Sequence, residues 1–254
     1  MLFFRSARAS PDQDLGASSL WTELCTSMLC LSSPHTLTLI QDVMLKDRIK
    51  NFLKRLQMRL LGLGGTERFI PRIQTGVPWA AMHFERYRFA SRFVRPTDTV
   101  TDLACGVGYG TDVLSEAGAS VVGIDRSSAA IRYARKHYKG SFRVADLFTV
   151  NAQTDVVVSF ETVEHIPAPL EETMTHLLSL SKRTLVASVP YLEPAGNNPF
   201  HYHDSLKEDH FLFLNKYGTF RFFYQETEPG FLIHDVKIQK PQNLILVVQK
   251  DERG

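Results

Sequence analysis

The chain of 254 residues is poor in cysteine and has neither a long apolar run nor a phosphate-gripping loop. Each absence removes a class of function. Its three cysteines, Cys25, Cys30 and Cys105, match neither zinc-site nor redox-pair spacing. A disulfide scaffold and a structural zinc are therefore not expected, and a reducing, cytoplasmic setting is. No stretch of 18 apolar residues occurs, so no membrane-spanning helix is expected. The opening Met-Leu-Phe-Phe-Arg lacks the basic start and small-residue cleavage site of a secretory leader. No glycine loop runs into Gly-Lys-Ser or Gly-Lys-Thr, which argues against a site that cradles nucleotide phosphates. What remains is a composition of 44% hydrophobic and 22% charged residues, enough for one substantial globular core.

The net charge of +2 hides an asymmetry. Residues 46–95 hold twelve Lys or Arg against Asp47, Glu67 and Glu85, so the rest of the chain is acidic. Such a block suits an anionic substrate, a membrane surface or nucleic acid, or it forms a solvated helix face. From Leu39 to Leu61, Ile40, Val43, Met44, Phe52, Leu53, Leu56 and Leu60 recur at helical spacing between bases. Residues 1–65 thus read as an N-terminal extension, partly disordered, with a basic amphipathic helix offering a homodimer contact. Residues 66–254 read as the main domain.

Residues 100–126 carry most of the functional signal. An apolar strand ends at Asp102 and runs into Gly106, Gly108 and Gly110; a second strand, Ser120 to Ile124, ends in Asp125. Glycines let the backbone approach a ligand that a Cβ would push away. An acid at the tip of the next strand can take both hydroxyls of a ribose. The strand-end acid Asp102 disfavours a pyrophosphate but suits a cationic ligand such as a sulfonium with its amino group.

This pattern, Asp-Leu-Ala-Cys-Gly-Val-Gly-Tyr-Gly followed by Val-Val-Gly-Ile-Asp-Arg, resembles the class I S-adenosylmethionine-dependent methyltransferases. The resemblance implies a Rossmann-like α/β fold: a seven-stranded, mostly parallel sheet with helices on both faces and an antiparallel last strand. It implies S-adenosylmethionine as cofactor, with Asp102, Gly106 and Gly108 at the methionine end, Asp125 at the ribose and Asp146 facing the adenine, and Ala104, Arg126 and Leu147 as further cofactor-binding residues. The stretches Glu67–Pro71 and His83–Ala90 resemble a subgroup that modifies sugars, glycans and related metabolites, in which His83 and Tyr87 help close the cofactor pocket. Glu161 would line the same pocket.

The alternation after the glycine loop suits this fold. Helices are expected over 80–93, 111–117, 128–137 and 170–180, and strands over 141–145, 155–160, 184–188, 219–225, 232–239 and 244–249, the last two as a hairpin. Leu180-Ser181-Lys182-Arg183 stands where many relatives have a Pro-Gly-Gly turn.

Reacting groups in such a fold lie beyond the carboxyl ends of the strands. There His165, His201 and His203 supply imidazoles suited to general-base work, with His201 or His203 favoured because they sit in a long polar loop. Glu161, Glu164 and His165, with a loop histidine, also make a ligand set for Mg²⁺ or Mn²⁺, although no metal is assigned. That set resembles the metal-dependent 2′-O-methyltransferases of small RNAs. RNA is disfavoured because residues 191–217 carry Lys207 and Lys216 against Glu193, Asp204, Glu208 and Asp209. The expected reaction is methyl transfer to a hydroxyl of a sugar or other small polar metabolite. A methyltransferase-like scaffold for a protein partner is the remaining alternative, opposed by the intact glycine loop and acids.

Overall fold

The computed structural model describes residues 49, 52–63, 68–74, 80–227 and 230–251. The chain divides into two compact units, Met1–Arg55 and Leu56–Gly254. Of the first, residues 49 and 52–55 are described, and they are helical; the second opens with helical residues 56–60. Most of the expected extension, its amphipathic helix and its dimer contact lie outside the described residues. No described helix is long and apolar enough to cross a membrane.

The second unit is built on α1 (Ala80–Ser91), β1 (Thr99–Leu103), α2 (Tyr109–Ser115), β2 (Ser120–Asp125), α3 (Ser128–His137), β3 (Ser141–Val144), β4 (Thr154–Phe160), α4 (Leu170–Ser179), β5 (Ser181–Pro190), β6 (Gly218–Gln225), β7 (Ile233–His234) and β8 (Asn243–Lys250). The sheet has eight strands in the order β3-β2-β1-β4-β5-β8-β6-β7. β1 to β5 are mutually parallel, and β8 runs antiparallel to both β5 and β6. The mostly parallel sheet and antiparallel last strand are as expected; the extra strand is β7, two residues paired with β6.

Local sequence explains the parallel half. β4 has the apolar centre Val156–Val158 because both its faces are covered there: Val156 and Val158 pack with residues of α1 and α2, and Val157 with Met174, Leu177 and Leu178 of α4. The Ser127 hydroxyl accepts from Ala130 N at 3.2 Å to start α3, and Arg135, Lys136 and His137 sit in its last turn, where the helix dipole favours cations.

Three details depart from the sequence reading. β5 starts at Ser181, so of the residues that replace a Pro-Gly-Gly turn Leu180 ends α4 and Ser181, Lys182 and Arg183 are already strand. Ser181 pairs with Thr154 across a register shift, and its hydroxyl donates to Leu178 O at 3.0 Å. The 232–239 hairpin with 244–249 does not form; β8 is inserted between β5 and β6 instead. The segment Glu208–Tyr217, unassigned from sequence, is a 3-10 helical stretch that buries Phe211 and Leu214.

Candidate active site

β1 and β4 are neighbours whose sequence successors lie on opposite sides, β2 on one and β5 on the other. Open α/β sheets bind ligands in the crevice at such a point. Both strands leave the sheet through a non-glycine residue with positive φ, Ala104 at 62° and Glu161 at 48°. Each such conformation costs about 1–3 kcal/mol and is characteristic of functional sites. Both residues line a cavity of about 1140 Å³.

Asp125 anchors one side of this cavity. Its carboxylate accepts from Gly106 N at 2.9 Å, from Ser127 N at 2.8 Å and from Arg68 Nη2 at 3.2 Å. Arg126, Asp146, Leu147 and Phe148 continue the wall. The Asp146 carboxylate accepts from Phe148 N at 3.0 Å and so caps the single turn Leu147–Thr149.

Asp102, expected at the methionine end, is instead fully buried. Thr111 Oγ1 donates to it at 2.6 Å and Tyr87 Oη at 3.3 Å. Burial raises its pKa to about 7, the two hydroxyl donors oppose the rise, and the charge of Asp125 adds to it. Asp102 therefore ties α1 and α2 to the end of β1, while Leu103 to Gly106 make the wall. Gly108 also supports the wall from behind. Its φ is 89°, and a Cβ there would lie 2.7 Å from Ala134 Cβ and from Phe142. Gly110 lies beneath the Tyr87 ring, which occupies the space a Cβ would need.

His83 and Tyr87 of α1 line the cavity. His83 Nδ1 lies 3.1 Å from Tyr109 Oη and 3.1 Å from Arg86 Nη2. Burial, and then the Arg86 charge, lower its pKa to about 3, so the ring is neutral at physiological pH. Arg86, only 2% exposed, donates from Nη1 to Gln225 Oε1 at 3.0 Å and Asn243 Oδ1 at 2.8 Å. That fixes the Asn243 amide so that its Nδ2 donates to Glu161 Oε2 at 2.8 Å, while Ser188 donates to Glu161 Oε1 at 2.7 Å.

Beyond β4 and β5, Glu164, His165 and His201 share the cavity, each with a ligand-capable atom within 4.8 Å of the others. The two imidazoles meet edge to face at 4.6 Å. His165 Nδ1 lies 3.1 Å from Phe200 O, and His201 Nδ1 lies 3.0 Å from Glu193 Oε2. Glu161, held by Ser188 and Asn243, stands outside this cluster. His203 does not line the cavity; its Nε2 bonds to Ala168 O at 2.9 Å. Arg68, Arg86, Tyr109, Phe148, Glu193 and Asn243 are wall residues the sequence reading passed over. Arg68 and Arg86 were visible as members of the basic block and of the stretches Glu67–Pro71 and His83–Ala90, with nothing to mark their partners.

Residues 100–183 match the family model of a methyltransferase domain. A probable S-adenosylmethionine-dependent methyltransferase of Mycolicibacterium smegmatis is 31% identical over 104 residues, covering 39% of this chain and 40% of that protein. The ubiquinone biosynthesis O-methyltransferase of Pseudomonas paraeruginosa is 36% identical over 80 residues, covering 28% of this chain and 34% of that protein. Among solved structures, the magnesium protoporphyrin IX methyltransferase of Synechocystis with bound SAH superposes with a TM-score of 0.54 at 18% identity, over 81% of this chain and 100% of that one. The chain has the class I S-adenosylmethionine-dependent methyltransferase fold. The sequence similarity spans 40% or less of the length of these two curated relatives.

Proposed function

We propose that the chain transfers the methyl group of S-adenosylmethionine to a hydroxyl of a sugar or another small polar metabolite. The observation that carries this reading is the continuity of one cavity from Asp125 and Asp146 to His165 and His201. Adenosine would bind against Asp125, Asp146 and Leu147, with the methionine end over Leu103 to Gly106 and Glu161 beside it. The acceptor would enter from the side of residues 165–168 and 199–202. In the transfer, an acceptor oxygen lone pair forms the O–CH₃ bond as the S–CH₃ bond breaks, the sulfonium becomes a neutral thioether, and the hydroxyl proton leaves. Holding the reactants in line supplies much of the rate.

His201 is the proposed proton acceptor. Its Nδ1 lies 3.0 Å from the Glu193 carboxylate, which favours the imidazolium formed when the proton arrives at Nε2 in place of the Asn198 Nδ2 contact at 3.1 Å. His165 is the neighbouring alternative. We assign the reaction to residues 66–254 and leave residues 1–65 as an extension. Screening nucleotide sugars, glycans, phenols and short RNAs for S-adenosylhomocysteine release tests the acceptor class. Turnover of hydroxylated small molecules is expected, and turnover confined to RNA overturns the choice.

A second reading has one favouring observation, the Glu164, His165 and His201 cluster. Its donors fit a divalent cation: one carboxylate and two imidazoles, with an oxygen acceptor beside the far nitrogen of each ring, as metal-bound histidines require. Bound there, Mg²⁺ or Mn²⁺ would supply Lewis-acid activation of the acceptor hydroxyl. A chelator that abolishes turnover, with recovery on adding metal, selects this reading over the His201 base. Chelator-resistant turnover rejects it.

A further inference from the structure

Asp125 has about four lone-pair directions on its carboxylate, and the protein already uses all of them. Ser127 N–H occupies one on Oδ1 and Gly106 N–H one on Oδ2. Arg68 Nη2 takes the rest, at 3.2 Å from Oδ1 and 3.5 Å from Oδ2. The two backbone donors are fixed by the glycine loop and by the turn into α3. A ribose that donates both hydroxyls to Asp125 therefore has to displace Arg68.

The Arg68 side chain has somewhere to go, while its backbone does not. Neighbouring Phe69 is 6% exposed and Ile70 is fully buried with Leu63, Ile73 and Val107, and Ile70 N donates to Gln74 Oε1 at 2.6 Å. The guanidinium stem lies over Gly106, in the face of the loop where the methionine end of the cofactor would sit. The side chain as a whole is 19% exposed and borders the cavity. Once displaced from Asp125, the cation is left against the cavity wall that would receive the one anionic group of the cofactor, its α-carboxylate. A guanidinium pairs with a carboxylate through parallel N–H donors, a stronger contact than its single Nη2 reaching Asp125.

We propose that Arg68 is an exchange residue: it covers the ribose acid in the empty site and moves to the cofactor's α-carboxylate when S-adenosylmethionine binds. This rests on the proposed use of that cofactor and adds a residue that selects amino-acid-bearing adenosines over bare ones. An adenosine without the carboxylate must displace Arg68 and offers it nothing in return.

Calorimetric titration of the full chain with S-adenosylmethionine and with 5′-methylthioadenosine, which lacks the amino-acid tail, separates the two halves of the exchange. For Arg68→Ala the expected result is about tenfold weaker S-adenosylmethionine binding and several-fold tighter 5′-methylthioadenosine binding. Arg68→Lys, which keeps the charge but loses the fork, should fall between. Equal loss for both ligands in a variant with unchanged thermal midpoint overturns the proposal, because Arg68 would then serve the adenosine or the fold. Unchanged S-adenosylmethionine affinity with tighter 5′-methylthioadenosine binding also overturns it, leaving a cover without exchange. A wild-type chain that binds neither ligand defeats the cofactor assignment itself, an outcome distinct from both.

Discussion

The two sides of the cavity are built by different means. On the β2–β3 side, strand-end acids are held mainly by backbone N–H groups, Ser127 N and Gly106 N for Asp125 and Phe148 N for Asp146, with the Arg68 side chain added on Asp125. On the β4–β5 side, the polar groups are held across long stretches of chain. Glu161 takes its donors from Ser188 and Asn243, His165 bonds to Phe200 O, and Arg86 joins α1 to β6 and β8 through Gln225 and Asn243. One side rests mainly on the backbone of the glycine loop and of the turns that follow β2 and β3. The other depends on the register of β8 and the path of residues 191–206. On the proposed function, the cofactor rests mainly on the first side with Glu161 reaching it from the second, and the acceptor and its proton meet the second.

Four substitutions test that division. The largest effect is expected on the second side: His201→Ala should lower kcat about 10²- to 10⁴-fold while leaving S-adenosylmethionine affinity nearly unchanged, read by steady-state kinetics beside calorimetry. Loss of affinity equal to the loss of rate would erase the distinction between the sides. On the first side, Asp125→Ala should weaken S-adenosylmethionine binding by about 1–3 kcal/mol, the scale for stranding charged hydrogen-bond partners, and should act on KM more than on kcat.

A smaller effect concerns Asp102, which lies behind the wall. Its pKa is raised from 3.8 to about 7 by burial, so the native state holds the extra proton between those values. The stability associated with protonated Asp102 is complete below the lower value and is lost as pH rises through about 7. In urea unfolding, the stability of the wild type relative to Asp102→Asn should fall from pH 4 to pH 7 and level off above. A difference that grows with pH over that window contradicts the assignment. The smallest effect is His203→Ala, whose ring bonds to Ala168 O away from the cavity: turnover should change less than about twofold.

The same division decided what the sequence could reveal. Asp125, Asp146, the Ser127 cap and the parallel strands were legible because a few consecutive residues specify each of them. The burial of Asp102 was not, since it needs Tyr87 from a helix 15 residues earlier and Thr111 from α2. His201 and His203 look alike in sequence, two residues apart in one loop. Only the folded loop puts Glu193 against one ring and Ala168 O against the other. The misread hairpin has the same origin, because β8 pairs with β5, whose partner residues lie more than 50 positions earlier.

The central claim is that the β2–β3 side, with the glycine loop after β1, is a site for S-adenosylmethionine. Titration calorimetry of the wild-type chain with S-adenosylmethionine and, separately, with a nicotinamide dinucleotide tests it most directly. One S-adenosylmethionine bound per chain and no detectable dinucleotide binding is the predicted result. Tight binding of the dinucleotide with none of S-adenosylmethionine would contradict it.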